Sequence, residues 1–281
     1  MNRRQAYRQL VQALAHLGPG EAEAEAREIL EVLCGVSAQD LLLEPQKELP
    51  EKQETALQEL ARRRKAGEPL AYLLGSRAFY GMRFGVSRAV LIPRQETELL
   101  VERCIQIIQR KKLKTALDLC TGSGCIAICL AKHTAAAVSA SDISRDALAV
   151  ARGNAEKLGA DVHFFESDLL EKAQGPYEII VSNPPYISDA EYAAIDAGVR
   201  EQEPALALRG GADGLAFYRR IAKQAPKYLA KGGQLALEIG YEQGEAVCRL
   251  LAEQGFDKIE LAKDYAGLDR MVFAESSLAW E

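Results

Sequence analysis

Histidine is scarce in this chain, with three residues, tryptophan occurs once, and the six cysteines form no Cys-x-x-Cys pair. A zinc site draws on clustered Cys and His ligands, and a disulfide scaffold belongs to short secreted chains, so neither is expected. Cys34, Cys104, Cys120, Cys125, Cys129 and Cys248 sit in apolar or helical contexts and read as reduced, mostly buried thiols of a cytoplasmic protein. No apolar run approaches the roughly 18 residues of a transmembrane helix, so no membrane partner is expected. Positive charge is not in excess: 35 Lys and Arg against 40 Asp and Glu leave a net charge of −5. A broad electrostatic grip on nucleic acid needs a basic face, so no stable nucleic-acid partner is expected either. The basic N-terminus lacks the compact apolar core of a signal peptide and reads as an amphipathic helix.

What is present is an ordinary globular composition, 281 residues with 48% apolar and 27% charged. That is enough for one large domain or for a large one plus a small one. Residues 1–75 read as all-helical. Tyr7, Leu10, Val11, Leu14 and Leu17 recur at helical spacing, EAEAEAREILEVLCG closes at Gly35, and a further helix ends before Gly67 and Pro69. This segment carries no visible chemistry and is expected to be a small substrate-docking domain. Residues 76–93 change to aromatic and β-branched residues around Gly81 and Gly85 and predict a linking β-hairpin. From 94 to 281 a helix at about 95–111 is followed by alternating strands and helices, the signature of a doubly wound α/β sheet.

The first strand of that part runs into Asp118-Leu119-Cys120-Thr121-Gly122-Ser123-Gly124, directly before a helix. Glycines there let the backbone turn sharply and approach a ligand, and the helix start offers unpaired N–H groups. Asp142 ends the second strand, where a carboxylate can accept both hydroxyls of a ribose. The pattern predicts a nucleoside-containing cofactor. The glycine spacing alone fits both NAD and S-adenosylmethionine. Asp118 favours the second, whose methionine amine and sulfonium are cationic.

A later strand stops at Asn183-Pro184-Pro185-Tyr186. Two prolines end a central strand abruptly, since neither donates a ladder hydrogen bond, and they hold the local backbone rigid. The Asn183 side-chain oxygen and the Pro184 carbonyl form a fixed pair of acceptors, with Tyr186 as an aromatic wall. That pair suits a planar NH2 group, whose two hydrogens it holds while the nitrogen lone pair is aimed out of plane. A methyl group on a positively charged sulfur needs no general base for its displacement, so the lack of a nearby catalytic histidine fits.

With these residues in place the chain resembles the glutamine methyltransferases that act on peptide chain release factors. Besides DLCTGSG, Asp142 and NPPY, the resemblance is carried by Tyr72 to Gly75, Phe79-Tyr80-Gly81, Val90 to Arg94 and Glu96 to Leu100. It is carried further by Glu203 to Leu208, Gly210-Gly211, Asp213-Gly214, Leu237 to Gly240 and Gly267 to Arg270. The resemblance implies a mostly parallel seven-stranded methyltransferase sheet behind a small helical domain. It implies S-adenosylmethionine as cofactor. As acceptor it implies the glutamine of the Gly-Gly-Gln loop in class 1 release factors. By position, Cys120, Thr121, Gly122, Ser123 and Gly124 would line the methionine and ribose end, Asp142 would bind the ribose, and Asp168 and Leu169 would hold the adenine. Asn183 to Tyr186 would clamp the glutamine amide, with Asn183 also counted among the cofactor-binding residues. Three positions depart from the family pattern: Cys120 stands for a glycine, Gln95 for a frequent proline, and Leu169 for an aromatic residue.

Other readings make different demands. Adenine amino methylation shares an NPPY-type clamp but wants a basic groove. A ribosomal-protein glutamine would be told apart only through the N-terminal domain. Hydride transfer needs a proton-relay residue, and none of His16, His133 and His163 lies in a motif at a strand end. A scaffold with a vestigial site is at odds with the intact Gly122, Gly124, Asp142 and Asn183.

Overall fold

Asn2 caps the first helix with a reciprocal side-chain box to Gln5, and the helical spacing of Ala6 and Leu10 then buries one face. In the computed structural model, which describes residues 1–195, 200 and 202–277, the chain divides into two units, Met1–Ser76 and Arg77–Glu281. The first unit contains α1 (Arg3–Ala13), α2 (Pro19–Cys34), α3 (Ala38–Leu43), α4 (Glu51–Lys65) and α5 (Leu70–Leu74). Leu10, Leu14, Ile29, Leu30, Leu57 and Leu60 form its core. Gly35 and Gly75 end α2 and α5 in the left-handed conformation.

The second unit opens with a hairpin, β1 (Ser76–Phe79) and β2 (Met82–Gly85). Its strands stop at Gly85; residues 86–94 run on without a strand. Phe79 and Phe84 meet edge to face at 5.9 Å and are buried in the same core as Leu100, Ile108 and Ile128. Asn154 fastens the end of β2: its side-chain oxygen accepts from the Gly85 N–H at 2.6 Å and its nitrogen donates to the Gly85 carbonyl at 2.9 Å.

The remaining elements build a seven-stranded sheet from β3 (Thr115–Leu119), β4 (Ala137–Asp142), β5 (Val162–Glu166), β6 (Tyr177–Ser182), β7 (Leu229–Glu238), β8 (Phe256–Lys263) and β9 (Asp269–Ser276). The order is β5-β4-β3-β6-β7-β9-β8, parallel except for β9, which runs antiparallel to both neighbours. Alternate strand residues supply two cores. Ala116, Ile179, Val181 and Ala236 pack with α6 (Gln95–Lys111), α7 (Cys125–His133) and α8 (Arg145–Leu158). Leu117, Ile180, Leu235 and Leu237 pack with the helices Ala216–Gln224 and Gly244–Glu253. Both faces being covered explains why the central strands are apolar almost throughout. The expected doubly wound, mostly parallel seven-stranded sheet is what forms. The helix Ala216–Gln224 stops short of β7, because Pro226 cannot continue it and Ala225–Lys227 form a single tight turn.

The chain moves outward through β4 and β5, then returns to β6 on the other side of β3. That reversal opens a crevice at the carboxyl ends of the strands, where open α/β sheets bind ligands. Leu119 pairs with Ser141 on one side and Ser182 on the other, so the segments starting at Cys120, Asp142 and Asn183 leave the sheet side by side.

Candidate active site

The turn after β3 is built around Asp118. Its Oδ2 accepts from the Thr121 hydroxyl at 2.5 Å and from the Ala127 N–H at 3.2 Å, tying the strand end to the first turn of α7. Asp118 is fully buried and its Oδ1 has no hydrogen-bond partner. Burial pushes its carboxyl up to about 7, against the pull of the two hydrogen bonds. It therefore shapes the turn from behind and is not itself on the cavity wall. Cys120, with φ of 57°, takes a left-handed conformation that usually falls to glycine. Its side chain packs against the second core, and burial raises the thiol's pKa.

Gly122 also has positive φ, and a Cβ added there would meet nothing within 4 Å. Its N–H donates to Asp142 Oδ2 at 2.9 Å, while the Ser144 N–H donates to Oδ1 at 2.9 Å. Two backbone donors thus orient the Asp142 carboxylate and leave each oxygen a lone pair for a ligand hydroxyl. Gly124 has a different task. It starts α7 with φ of 80°, and a Cβ there would press on Ala151 and Ile128 at 3.1 Å. It permits close helix packing and does not line the cavity. Beyond β5, Asp168 pairs with Arg220 at 2.8 Å, and Leu169 is buried with φ of 50°.

These groups surround one cavity of about 380 Å³, within the range of small-molecule sites. Cys120, Thr121, Gly122, Ser123, Asp142, Asp168, Leu169, Asn183 and Pro185 line it; Pro184 and Tyr186 do not. The Tyr186 ring packs against the second core and burial drives its hydroxyl up to about 12. Its backbone carbonyl accepts from Gln243 Nε2 at 2.9 Å. Asn183 reaches the cavity with its Nδ2 donating to the Thr97 hydroxyl at 3.3 Å. Thr97, in the first turn of α6, had no motif of its own beyond its place between Glu96 and Glu98. Arg94, quoted above only as part of the Val90 to Arg94 match, and Arg220, not singled out at all, also line the cavity. Arg94 pairs with the buried Glu203 at 2.6 Å, joining the segment before α6 to the one after NPPY.

The residues fit S-adenosylmethionine. The open side of Gly122 leaves room for the cofactor's approach, Asp142 stands ready for ribose hydroxyls, and Leu169 and Ile143 give apolar surface. Fold and site together define a Rossmann-like, S-adenosylmethionine-dependent methyltransferase. Residues 5–75 match the family model described as PrmC N-terminal domain, and residues 95–212 the one described as Methyltransferase small domain. The release factor glutamine methyltransferase of Neisseria gonorrhoeae is 43% identical over 257 residues, covering 89% of this chain and 92% of the relative. That of Bacillus cereus is 40% identical over 282 residues, covering 96% and 98%. A methyltransferase from Pyrococcus furiosus superposes with a TM-score of 0.53 at 18% identity, over 79% of this chain and 98% of that one. The chain belongs to the release factor glutamine methyltransferase family.

Proposed function

We propose that this protein methylates the side-chain amide nitrogen of the glutamine in the Gly-Gly-Gln loop of class 1 peptide chain release factors, using S-adenosylmethionine as donor. The observation that carries the reading is the presence of Asn183 on the wall of the cavity that Asp142 and Gly122 line. When bound, the cofactor supplies a methyl group on a positively charged sulfur. Asp142 takes the ribose hydroxyls, the backbone of Cys120 to Ser123 faces the methionine end, and Asp168 and Leu169 flank the adenine. The Asn183 oxygen accepts one hydrogen of the acceptor carboxamide at the cavity wall, and the Pro184 carbonyl, set back from that wall, accepts the other. An amide nitrogen is a poor nucleophile because its lone pair is shared with the carbonyl. Hydrogen bonding at its protons returns electron density to nitrogen, orientation lowers the rest of the barrier, and one of the two amide protons leaves to water after the transfer. Pro185 stiffens the clamp, and Tyr186 holds it from the core side. The N-terminal helices, residues 1–75, serve to dock the release factor, and the hairpin over 76–85 with the segment that follows it links them to the rest of the chain. The reaction is assigned to the cytoplasm, where release factors work; among the described residues no helix is long and apolar enough to cross a membrane.

The test is methyl incorporation from labelled cofactor into a recombinant class 1 release factor. Label is expected in the intact factor and absent from a control whose loop glutamine is alanine. Equal labelling of both would refute the acceptor assignment.

A further inference from the structure

Glu238 ends β7 inside the second unit, 1% exposed, with its Oε2 lacking any hydrogen-bond partner. It stands beside Asn183 because Ser182 pairs with Leu237 across the parallel strands β6 and β7. The nearby Thr97 and Asn183 side chains favour the ionised form of its carboxyl, and Asn183 Nδ2 donates to the Thr97 hydroxyl at 3.3 Å. Asn183 and Thr97 line the cavity, whereas Glu238 lies behind them. Nothing in the transfer chemistry derived so far uses this carboxyl.

A carboxamide fits its site either way round, and only its partners decide which end faces where. Ionised Glu238 has no hydrogen to give. The Thr97 hydroxyl hydrogen is then committed to it, so the Thr97 oxygen acts as acceptor and takes the Asn183 N–H. The Asn183 oxygen remains for the acceptor's NH2. Protonated Glu238 reverses the chain: it donates to Thr97, Thr97 donates to the Asn183 oxygen, and the Asn183 NH2 is turned against the incoming NH2. Two donors then face each other.

We propose that Glu238 is a positioning residue which, through Thr97, fixes the direction of the Asn183 carboxamide and so sets whether the clamp can accept. This rests on the reading of Asn183 as the amide clamp.

The charges around Glu238 support a switch in the neutral range. Burial raises its carboxyl to about 7, Arg270 on β9 favours its ionised form, and Glu96 on α6 opposes it. The Tyr186 and Tyr218 hydroxyls and the Cys125 thiol are the other titratable groups that feel it. Tyr218 also donates to the Glu238 backbone carbonyl at 3.0 Å, which fixes the main chain there.

The test follows the Asn183 side-chain NH2 resonance of the ligand-free protein through the neutral pH range, identified by its loss in Asn183→Ser. In the natural chain it should shift with a midpoint near 7. In Glu238→Gln, close in shape but unable to ionise, it should not shift at all. Thr97→Ser should keep the titration and Thr97→Val should lose it. In turnover, Glu238→Gln should lower kcat by about tenfold and flatten the acid limb, with KM for the cofactor unchanged. A resonance that ignores pH, or titrates equally in Glu238→Gln, overturns the inference, as does a variant with natural kcat and pH profile. A titrating resonance in a protein that leaves release factors unmethylated would sink the acceptor assignment and leave the role of Glu238 standing.

Discussion

The Gln243 carboxamide holds Tyr186 by its backbone: Nε2 donates to the Tyr186 carbonyl at 2.9 Å, while Oε1 accepts from the Gly240 N–H at 3.0 Å. The far end of NPPY is thereby pinned to the loop after β7. Gly214 completes the fit, since with φ of 73° any Cβ there would collide with the Tyr186 oxygen and with Gln243 Nε2. Gln243→Ala should cost about 1–3 kcal/mol of stability by leaving buried polar groups unpaired. Gly214→Ala should cost at least ~2 kcal/mol, from strain as well as overlap. Denaturant midpoints check both, and Gly214→Ala as stable as the natural chain would contradict this packing.

Asn183→Ala should abolish methyl transfer while cofactor binding persists, because the side chain's essential partner is the acceptor. Single-turnover rates and calorimetric cofactor binding separate the two. Normal turnover with lost cofactor affinity would disprove the assignment.

Asp142→Ala should weaken cofactor binding by about 1.5–3 kcal/mol, the loss expected for charged hydrogen bonds. The Gly122 N–H loses its acceptor in the same variant, so part of that cost is a looser turn. Calorimetry giving an unchanged dissociation constant would rule out a ribose contact.

Asp118 makes stability fall as pH rises. Its carboxyl is raised from 3.8 to about 7 by burial, so the folded chain holds this proton more tightly than the unfolded one. The resulting stabilisation is full below the unfolded value and is lost as pH climbs through about 7. Glu238, also raised to about 7, adds a contribution of the same sign. The exposed Asp213 and the partly buried Glu275, both lowered to about 2, act in the opposite sense and only in more acidic solution. The ligand-free protein should lose on the order of a few kcal/mol between mildly acid and mildly alkaline pH. Asp118→Asn should remove roughly half of that slope. Urea midpoints independent of pH would contradict it.

The strand ends were readable because their punctuation is local: a glycine turn after TALDL and two prolines after YEIIVS each stop a strand within two residues. The register that sets Cys120, Asp142 and Asn183 side by side then follows from parallel pairing. Gly124 looked like a ligand-facing glycine and instead serves helix packing, since the same absence of a side chain suits both. Tyr186 read as a wall, yet its direction is decided by Gln243 and Gly214, residues of later loops. Glu238 lay within the Leu237 to Gly240 match but had no role of its own. A lone carboxylate in LALEIG gains meaning only when β6 and β7 pair and α6 brings Thr97 alongside, contacts between residues far apart in the chain.

Phe79, Phe84 and the Asn154–Gly85 bonds bear on how this chain can be dissected. A catalytic fragment has to begin upstream of Arg77. One started at Gln95 would strip two rings from the interior and strand the Asn154 carboxamide, whose other hydrogen bond holds the Ser123 carbonyl at 2.8 Å. Loss of activity in such a truncation would report a damaged cofactor turn and say nothing about the helices that had been removed.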